Sequence, residues 1–410
     1  MKQYLLYGAL LLAACGPGRQ QQENKGSSAN QPAIRSAEHF GADVAFLKRH
    51  VETIILKDST SNAAIAIVPA WQGRVMTSTA AGDTGRSLGW VNHALIESGE
   101  LQPHMNAYGG EDRFWLGPEG SRNSFYFEPG DTFDFAHWQV PAPIDTEPFT
   151  VAGRSPHTVS FERTMQLTNY KGNTFHIKVN RTITLIARRD VRNYIGTDLH
   201  RSVQAVAFHS ANTISNAGTQ KWDTAYGMPS VWILGMFAAS GQNTVVIPIR
   251  NKGKVNTNYF GAIPPERLKT GEKIAYFKAD AKYRSKIGLQ PNACYNYLGS
   301  YDAANRLLTI VQFTLPLGRN LYVNSSWDTL SPPFGGDVIN AYNDGIPGEG
   351  LPQLGQFFEL ESSSPAAGLK PGGRLEHYHR TIHLQGEEKR LAPVVQQLFG
   401  VSLAEIKKAL

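Results

Sequence analysis

The chain has 410 residues, of which 10% are aromatic and 18% are charged, and its formal net charge is +6. This composition indicates a globular protein with a well-formed core. The positive charge is dispersed, because the densest basic spots are only two residues long: Lys48-Arg49, Arg188-Arg189 and Lys389-Arg390. That dispersal excludes a basic track for nucleic acid, so we expect no nucleic-acid partner.

The N-terminus predicts a lipoprotein of the bacterial cell envelope. A short basic start precedes an apolar run over residues 4–14, which is shorter than the ~20 residues of a spanning helix. Residues 12–16 read Leu-Ala-Ala-Cys-Gly and match a lipobox, in which Cys15 is acylated. We interpret residues 1–15 as a signal peptide. The lipid on Cys15 would hold the mature protein at the periplasmic face or at the cell surface.

Residues 16–35 are polar and rich in Gln, Ser and Asn, which predicts a flexible tether. Residues 36–410 then form a single domain in our interpretation, with two separate β-domains as the alternative. Cys294 is the only other cysteine. With Cys15 acylated, no disulfide framework is available.

Most of the domain shows the patterns of β-strands. Residues 36–50 predict a short helix, because Phe40, Val44 and Leu47 have helical spacing. In the segment 174–187, apolar residues alternate with polar ones, as in a half-buried antiparallel strand. Further strands are predicted at residues 53–56, 64–68, 74–78, 231–234, 244–249, 307–314 and 321–323.

Helices return at the C-terminus. Leu391, Val394, Val395 and Leu398 keep helical spacing, and Gly400 ends that helix. Ser402 and Glu405 predict a capping box for a final helix. The fold class that follows is all-β, a large antiparallel sandwich with short N- and C-terminal helices.

Residues 109–120 combine charges, aromatic rings and glycines. Carboxylates such as Glu111 and Glu119 accept hydrogen bonds from hydroxyls, Arg113 donates them, and Trp115 offers an apolar face. This mixture is suited to a polyhydroxylated ligand. An ion-paired structural loop is the alternative.

Four segments in order resemble the galactose mutarotase-like (aldose 1-epimerase-like) superfamily. The C-terminal part has a Leu-Glu strand, a proline, a Leu-x-Pro-Gly turn and a closing strand, over residues 357–384. Residues 67–75 are similar to an opening strand of that superfamily. The segments 109–119 and 286–288 resemble its Gly-Gly…Trp-x-x-Pro-Glu and Lys-x-Gly segments. The resemblance covers residues 53–385 and points to a lipoprotein branch rather than to a true galactose mutarotase.

The resemblance implies an antiparallel β-supersandwich with a sugar cleft. Family catalysis takes the proton of the anomeric hydroxyl with a Glu, while a His protonates the ring oxygen. Glu361 lies where the family base is found, and Glu359 lies on the same face of that strand. The alternative is that one of the two forms a structural ion pair with Arg113 or Arg374.

The family's histidines have no clear counterpart. Tyr108 stands where the first His is expected, which leaves His209 and His104 as candidates for the acid. Trp222 and Lys286 are further candidate cleft residues. Two metal sites are weaker alternatives: a strand face with His377, His379 and His383, and a calcium site with Glu111, Asp112 and Glu119.

We therefore expect a monomeric, membrane-anchored protein that binds a mono- or oligosaccharide, with no cofactor or metal and without the usual mutarotase acid. One alternative is an active sugar epimerase with Glu361 as base and His104 or His209 as acid. Another is a structural or assembly lipoprotein without enzymatic activity. The sequence leaves open whether the protein is an enzyme; if so, it is an aldose 1-epimerase-like isomerase.

Overall fold

The computed structural model describes residues 39–319, 321–348 and 352–410, so the predicted signal peptide, tether and Cys15 lie outside the described residues. The helices are α1 Phe40–His50, α2 His93–Ser98, α3 Ala142–Asp145, α4 Arg192–Ile195, α5 Glu388–Phe399 and α6 Leu403–Lys408. The strands are β1 Ile54–Lys57, β2 Ala64–Val68, β3 Arg74–Thr79, β4 Arg113–Gly117, β5 Thr150–Arg154, β6 Thr158–Thr168, β7 Thr174–Ile186, β8 Gln204–Asn216, β9 Ser230–Ala238, β10 Asn243–Pro248, β11 Leu268–Thr270, β12 Ile274–Lys278, β13 Ser285–Leu289, β14 Tyr297–Asp302, β15 Leu307–Phe313, β16 Ile339–Asn343, β17 Phe357–Ser363 and β18 Arg374–Gln385. Within these ranges, every helix is too short or too polar to cross a membrane.

Three antiparallel sheets contain these strands. The ten-stranded sheet has the order β11-β12-β10-β14-β15-β18-β8-β7-β6-β5, and the five-stranded sheet has the order β13-β16-β17-β9-β4. The strands β1, β2 and β3 form a third sheet. The all-β prediction is confirmed, with helices at both ends of the described chain.

The core lies mainly between the two larger sheets. Apolar side chains of the five-stranded sheet, such as Phe114 and Ile233, share one core with Val179 and Phe208 of the ten-stranded sheet. The helices α5 and α6 pack on the other face of the ten-stranded sheet, through residues such as Leu391. The five-stranded sheet thus has one face in the core and one face turned away from it.

The predicted helices are confirmed. Helix α1 begins at Phe40, within the predicted segment 36–50. Gly400 ends α5 in the left-handed conformation, with a φ of 68°. Ser402 and Glu405 make both hydrogen bonds of the capping box at the start of α6. Each of these outcomes follows from local backbone requirements that the sequence reveals.

The strand predictions are confirmed except for residues 321–323. In that segment Tyr322 makes only an isolated parallel bridge to Gly335. The backbone carbonyls there accept hydrogen bonds from two different loops: Tyr322 accepts one from the amide of Gly336, and Leu321 accepts one from the amide of Ala366. No continuous ladder forms along the described part of this segment, although its residue types favour a strand.

Buried polar side chains form a layer between the two larger sheets. Arg181 and Asp112 are both fully buried, with 2.6 Å between Nη2 and Oδ1. The hydroxyl of Ser362 contacts both His377 and His379. Such groups are costly to bury without partners, so their hydrogen bonds restrict how the sheets pack.

Candidate functional site

The face of the five-stranded sheet that points away from the core carries charged residues, and we name it the charged face. Strand pairing places Tyr342 beside both Lys286 and Glu359, and places Leu234 between Glu361 and Arg113. Side chains of directly opposed residues point to the same face of a sheet. Five strands from distant parts of the chain therefore bring these groups together.

Glu361 lies at the centre of the charged face and is fully buried. Its Oε2 accepts hydrogen bonds from the Nζ of Lys286 at 3.0 Å and from the indole Nε1 of Trp232 at 2.9 Å. Its Oε1 is buried without a hydrogen-bond partner among the described residues. An unpartnered buried carboxylate oxygen is uncommon and marks a position where a ligand donor or a water fits.

Arg113 and Glu359 form a second ion pair next to Glu361. The distance from Arg113 Nη2 to Glu359 Oε1 is 3.0 Å, and the side chains are 3% and 8% exposed. The guanidinium lies 4.2 Å from the ring centre of Trp115. Arg113 Nε and Trp115 Nε1 are buried donors without an acceptor in the described part of the chain. The charged face thus offers both unused donors and an unused acceptor.

Loops border the charged face on two sides. The Oη of Tyr259 contacts Asp337 and accepts from Asn340 at 2.7 Å, and its ring lies 5.6 Å from Lys286 Nζ. At the other side, Glu119 follows strand β4, and Trp327 lies near enough to lower the pKa of its carboxyl group. These loops cover the sheet, so Lys286 is only 11% exposed.

The charges on this face shift one another's pKa values. Burial lowers the pKa of Lys286, but the carboxylates of Glu361 and Glu119 outweigh it, and the net pKa is raised. Burial raises the pKa of Glu359 to about 7; Arg113 lowers it and Glu361 raises it. Burial also raises the pKa of Glu119. Lys286 therefore stays charged at neutral pH, whereas Glu359 can exchange a proton there.

The structure brings together most of the residues singled out from the sequence. They share the charged face or its border: Arg113, Trp115, Glu119, Lys286, Glu359 and Glu361. Sequence reasoning missed Trp232, Tyr259 and Trp327. Of these, only Trp232 could have been found from the sequence. It lies two residues before Leu234 on strand β9, so both side chains point to the same face of the sheet.

Two predicted ligand-binding residues lie elsewhere. Glu111 contacts His383 at 2.8 Å and accepts from Ser78 at 3.0 Å in the polar layer between the sheets. The preceding Gly109 and Gly110 have φ values of 95° and 109°, which are not those of a strand. Side chains therefore do not alternate between the two faces of the sheet at this point, and Glu111 points into the polar layer. Trp222 is 1% exposed and packs in the core on Phe175, 5.6 Å between ring centres.

Neither candidate histidine contacts Glu361. His209 lies on the face of the ten-stranded sheet opposite the polar layer, where burial and Arg380 lower its pKa. The Nδ1 of His104 donates to the carbonyl of Trp138 at 2.7 Å. His104 is closer to the site, since the neighbouring Met105 sulfur is 3.6 Å from Arg113. The sequence alone could not separate these surroundings.

The residues of the two alternative metal sites have other partners. His377 and His379 contact Ser362, and His383 contacts Thr309 and Glu111. Across residues 39–319, 321–348 and 352–410, no group of three acidic, histidine or cysteine side chains is arranged to hold a metal ion.

Comparisons with known proteins place this geometry in context. A family model described as "Family of unknown function (DUF6786)" matches residues 38–410. No curated protein matches the chain. The solved structure of the Slr1438 protein from Synechocystis sp. PCC 6803 is similar with a TM-score of 0.51 and 14% identity, covering 82% of this chain and 96% of that one.

Two further solved structures are similar over most of their length. A putative aldose 1-epimerase from Escherichia coli K12 has a TM-score of 0.47 and 12% identity, covering 81% of this chain and 99% of that one. A galactose mutarotase-like protein from Lactobacillus casei ATCC 334 has a TM-score of 0.47 and 11% identity, covering 81% and 100%. The similarity to the Slr1438 protein and the strand arrangement confirm the predicted antiparallel β-sandwich fold class. At these identities the similarity is one of fold alone.

Proposed function

We propose that this chain, which belongs to the Family of unknown function (DUF6786), binds a mono- or oligosaccharide on the charged face of its five-stranded sheet. The observation that carries the proposal is the set of unpartnered buried atoms there. Glu361 Oε1 is an acceptor, and Arg113 Nε and Trp115 Nε1 are donors. A sugar hydroxyl both donates and accepts hydrogen bonds, so it complements such a mixed set.

Binding requires the border loops to move. The side chains of Arg113, Glu359 and Lys286 are at most 11% exposed. A ligand therefore reaches them in a more open state, with the loops of Tyr259 and Trp327 displaced. In this opening Tyr259 loses its contact with Asn340 and Trp327 loses its contact with Glu119, and contacts with the ligand replace them.

The test is calorimetric titration with glucose, galactose, mannose and N-acetylglucosamine. For a sugar that binds, Glu361→Gln is expected to weaken binding about tenfold to a hundredfold, because a hydrogen bond to a charged group contributes ~1.5–3 kcal/mol. Glu376→Gln is the matched control, since Glu376 is exposed on strand β18. Circular dichroism checks that each variant is folded. Binding that Glu361→Gln leaves unchanged contradicts the proposal, as does the absence of binding by these sugars and by their oligomers.

Proton transfer on the bound sugar is a second candidate function. The observation that favours it is Glu359, whose burial raises its pKa to about 7 beside the ion-paired Glu361. Glu359 can therefore take up or release a proton near neutral pH beside a second carboxyl group. Polarimetry with the freshly dissolved sugar distinguishes the two candidates. Faster mutarotation by the wild type, lost in Glu359→Gln, identifies an enzyme; an unchanged rate leaves a binding protein.

We also propose that the protein is anchored in the bacterial envelope through lipid on Cys15. The lipobox around Cys15 and the short apolar run before it support this proposal. Expressed with its N-terminus in a bacterium fed an alkyne-labelled fatty acid, the wild type is expected to carry the label and to sediment with membranes. Cys15→Ala is expected to lose both properties. An unlabelled wild type, or a Cys15→Ala variant that stays on the membrane, argues against the anchor.

A further inference from the structure

A row of aromatic rings leads away from the charged face. Trp138 lies between Phe135 and Trp327, with ring centres 6.0 Å and 6.1 Å apart and planes inclined by 21° and 25°. The three rings come from two loops, residues 128–138 and 324–331, which have no regular strand or helix. The rings stack in the order Phe135, Trp138, Trp327, and we name these three residues the aromatic row.

Core packing does not account for the Phe135 end of this row. Phe135 is 59% exposed, whereas Trp138 is 7% exposed and Trp327, which is 37% exposed, also packs on the buried ring of Phe127. Large exposed aromatic groups cost free energy in water unless a ligand or partner covers them. Trp138 Nε1 is also a buried donor with no acceptor in the part of the chain that the structure describes.

The aromatic row is continuous with the charged face. Trp327 favours the charged form of Glu119 and so lowers its pKa, and the charges of Lys286 and Glu361 also affect that pKa. Phe135 packs on His104, whose neighbour Met105 contacts Arg113. The link through His104 and Met105 does not involve the loop of Trp327, so it remains when that loop is displaced, and a ligand held by Glu361 and Arg113 would extend toward Phe135.

We propose that the Phe135 end of the aromatic row is a second saccharide subsite, so that the protein takes an oligosaccharide whose next sugar unit stacks on Phe135. This inference rests on the proposed function of the charged face. The C–H face of a pyranose ring is apolar and its rim is polar. Exposed aromatic rings beside a hydrogen-bonding site match that chemistry better than they match a charged ligand.

Chain length is the variable that tests the subsite. Calorimetry compares three of the monosaccharides with their tetramers: glucose with cellotetraose and maltotetraose, mannose with mannotetraose, and N-acetylglucosamine with chitotetraose. In at least one series the tetramer is expected to bind about tenfold more tightly than the monomer, as one or two stacking contacts would provide.

Phe135→Ala is the deciding variant, because Phe135 contacts none of the charged-face residues in the structure. It is expected to remove the advantage of the tetramer and to leave monosaccharide affinity within about twofold. Trp327→Phe keeps a ring for stacking and is expected to keep most of the advantage. Tyr378→Ala is the control, since Tyr378 is 40% exposed on the far side of the ten-stranded sheet.

The outcomes separate the two proposals. Equal affinity for monomer and tetramer, or a tetramer advantage that survives Phe135→Ala, overturns the second subsite while the proposed function stands. The absence of binding by saccharides of either length overturns the proposed function and the subsite with it. A tetramer advantage that disappears only in Phe135→Ala supports both.

Discussion

Replacing Arg181 by methionine is expected to lower the free energy of unfolding by about 3–5 kcal/mol. Arg181 is fully buried and donates to Asp112 Oδ1 at 2.6 Å and to Asn212 Oδ1 at 2.6 Å. Methionine fills much of the same volume but leaves the buried carboxylate of Asp112 without its counter-charge. Removing one partner of a buried ion pair has this large effect, because the remaining charge stays desolvated.

Urea unfolding followed by circular dichroism measures the change. Arg192→Met is the matched control, because Arg192 pairs with Asp198 at the surface, where both side chains are more than half exposed. That variant is expected to change stability by less than about 0.5 kcal/mol. The double variant Arg181→Met/Asp112→Asn should regain part of the loss. A stability change below about 1 kcal/mol for Arg181→Met alone contradicts this account of the polar layer.

Acid is expected to destabilise the fold through His377 and His379. Burial lowers the pKa of His377 to about 3, and burial lowers that of His379 to about 4, from the ordinary 6.5. The unfolded chain therefore binds protons at a higher pH than the folded one. The stability that these neutral histidines contribute is complete above pH 6.5 and is lost as the pH falls toward 4.

The expected loss between pH 7 and pH 4.5 is on the order of 2 kcal/mol for each histidine. Other groups act in the same range: the raised pKa of Glu359, about 7, makes stability increase as the pH falls below 7. The comparison is therefore between the wild type and His377→Gln/His379→Gln, because Glu359 is present in both. Glutamine can still hydrogen-bond to Ser362 but does not titrate.

Urea unfolding at pH 7 and at pH 4.5 gives the change in the free energy of unfolding between the two pH values, once for the wild type and once for the double variant. The double variant is expected to lose roughly 4 kcal/mol less than the wild type between pH 7 and pH 4.5. His200→Gln is the control, since His200 is exposed, and should behave as the wild type does. An acid dependence that is the same in the double variant shows that other groups set it.

Local patterns in the sequence predicted most strands and helices because each depends on near neighbours. The alternation in β7 even places Arg181 in the inward-facing set with Val179 and Ile183, although the partner of its charge could not be named. The position of Glu111 could not be predicted from alternation. Two glycines with positive φ precede it, and the side-chain direction then depends on a backbone geometry that alternation does not reveal.

The candidate site could not be predicted from local patterns, because its residues are far apart in the sequence. Arg113 and Glu359 are 246 positions apart, and their strands β4 and β17 flank β9 in the sheet although none of the three is consecutive in the chain. Only the resemblance to a known fold placed them near each other. Tyr259 and Trp327 lie in loops, where no periodic pattern indicates which way a side chain points. His209 lies on the side of strand β8 that faces away from the polar layer, which the sequence could not show because a histidine is compatible with either face of a strand.

The most direct test of the account is a crystal structure of the protein soaked with the monosaccharide that binds most tightly in calorimetry. The account predicts electron density for the sugar on the charged face, within hydrogen-bond distance of Glu361 Oε1 and Arg113, with the loops of Tyr259 and Trp327 displaced. Density for the sugar elsewhere, for example in the open surface depression beside Lys171, Asp223 and Tyr226, with the charged face unchanged, would contradict it.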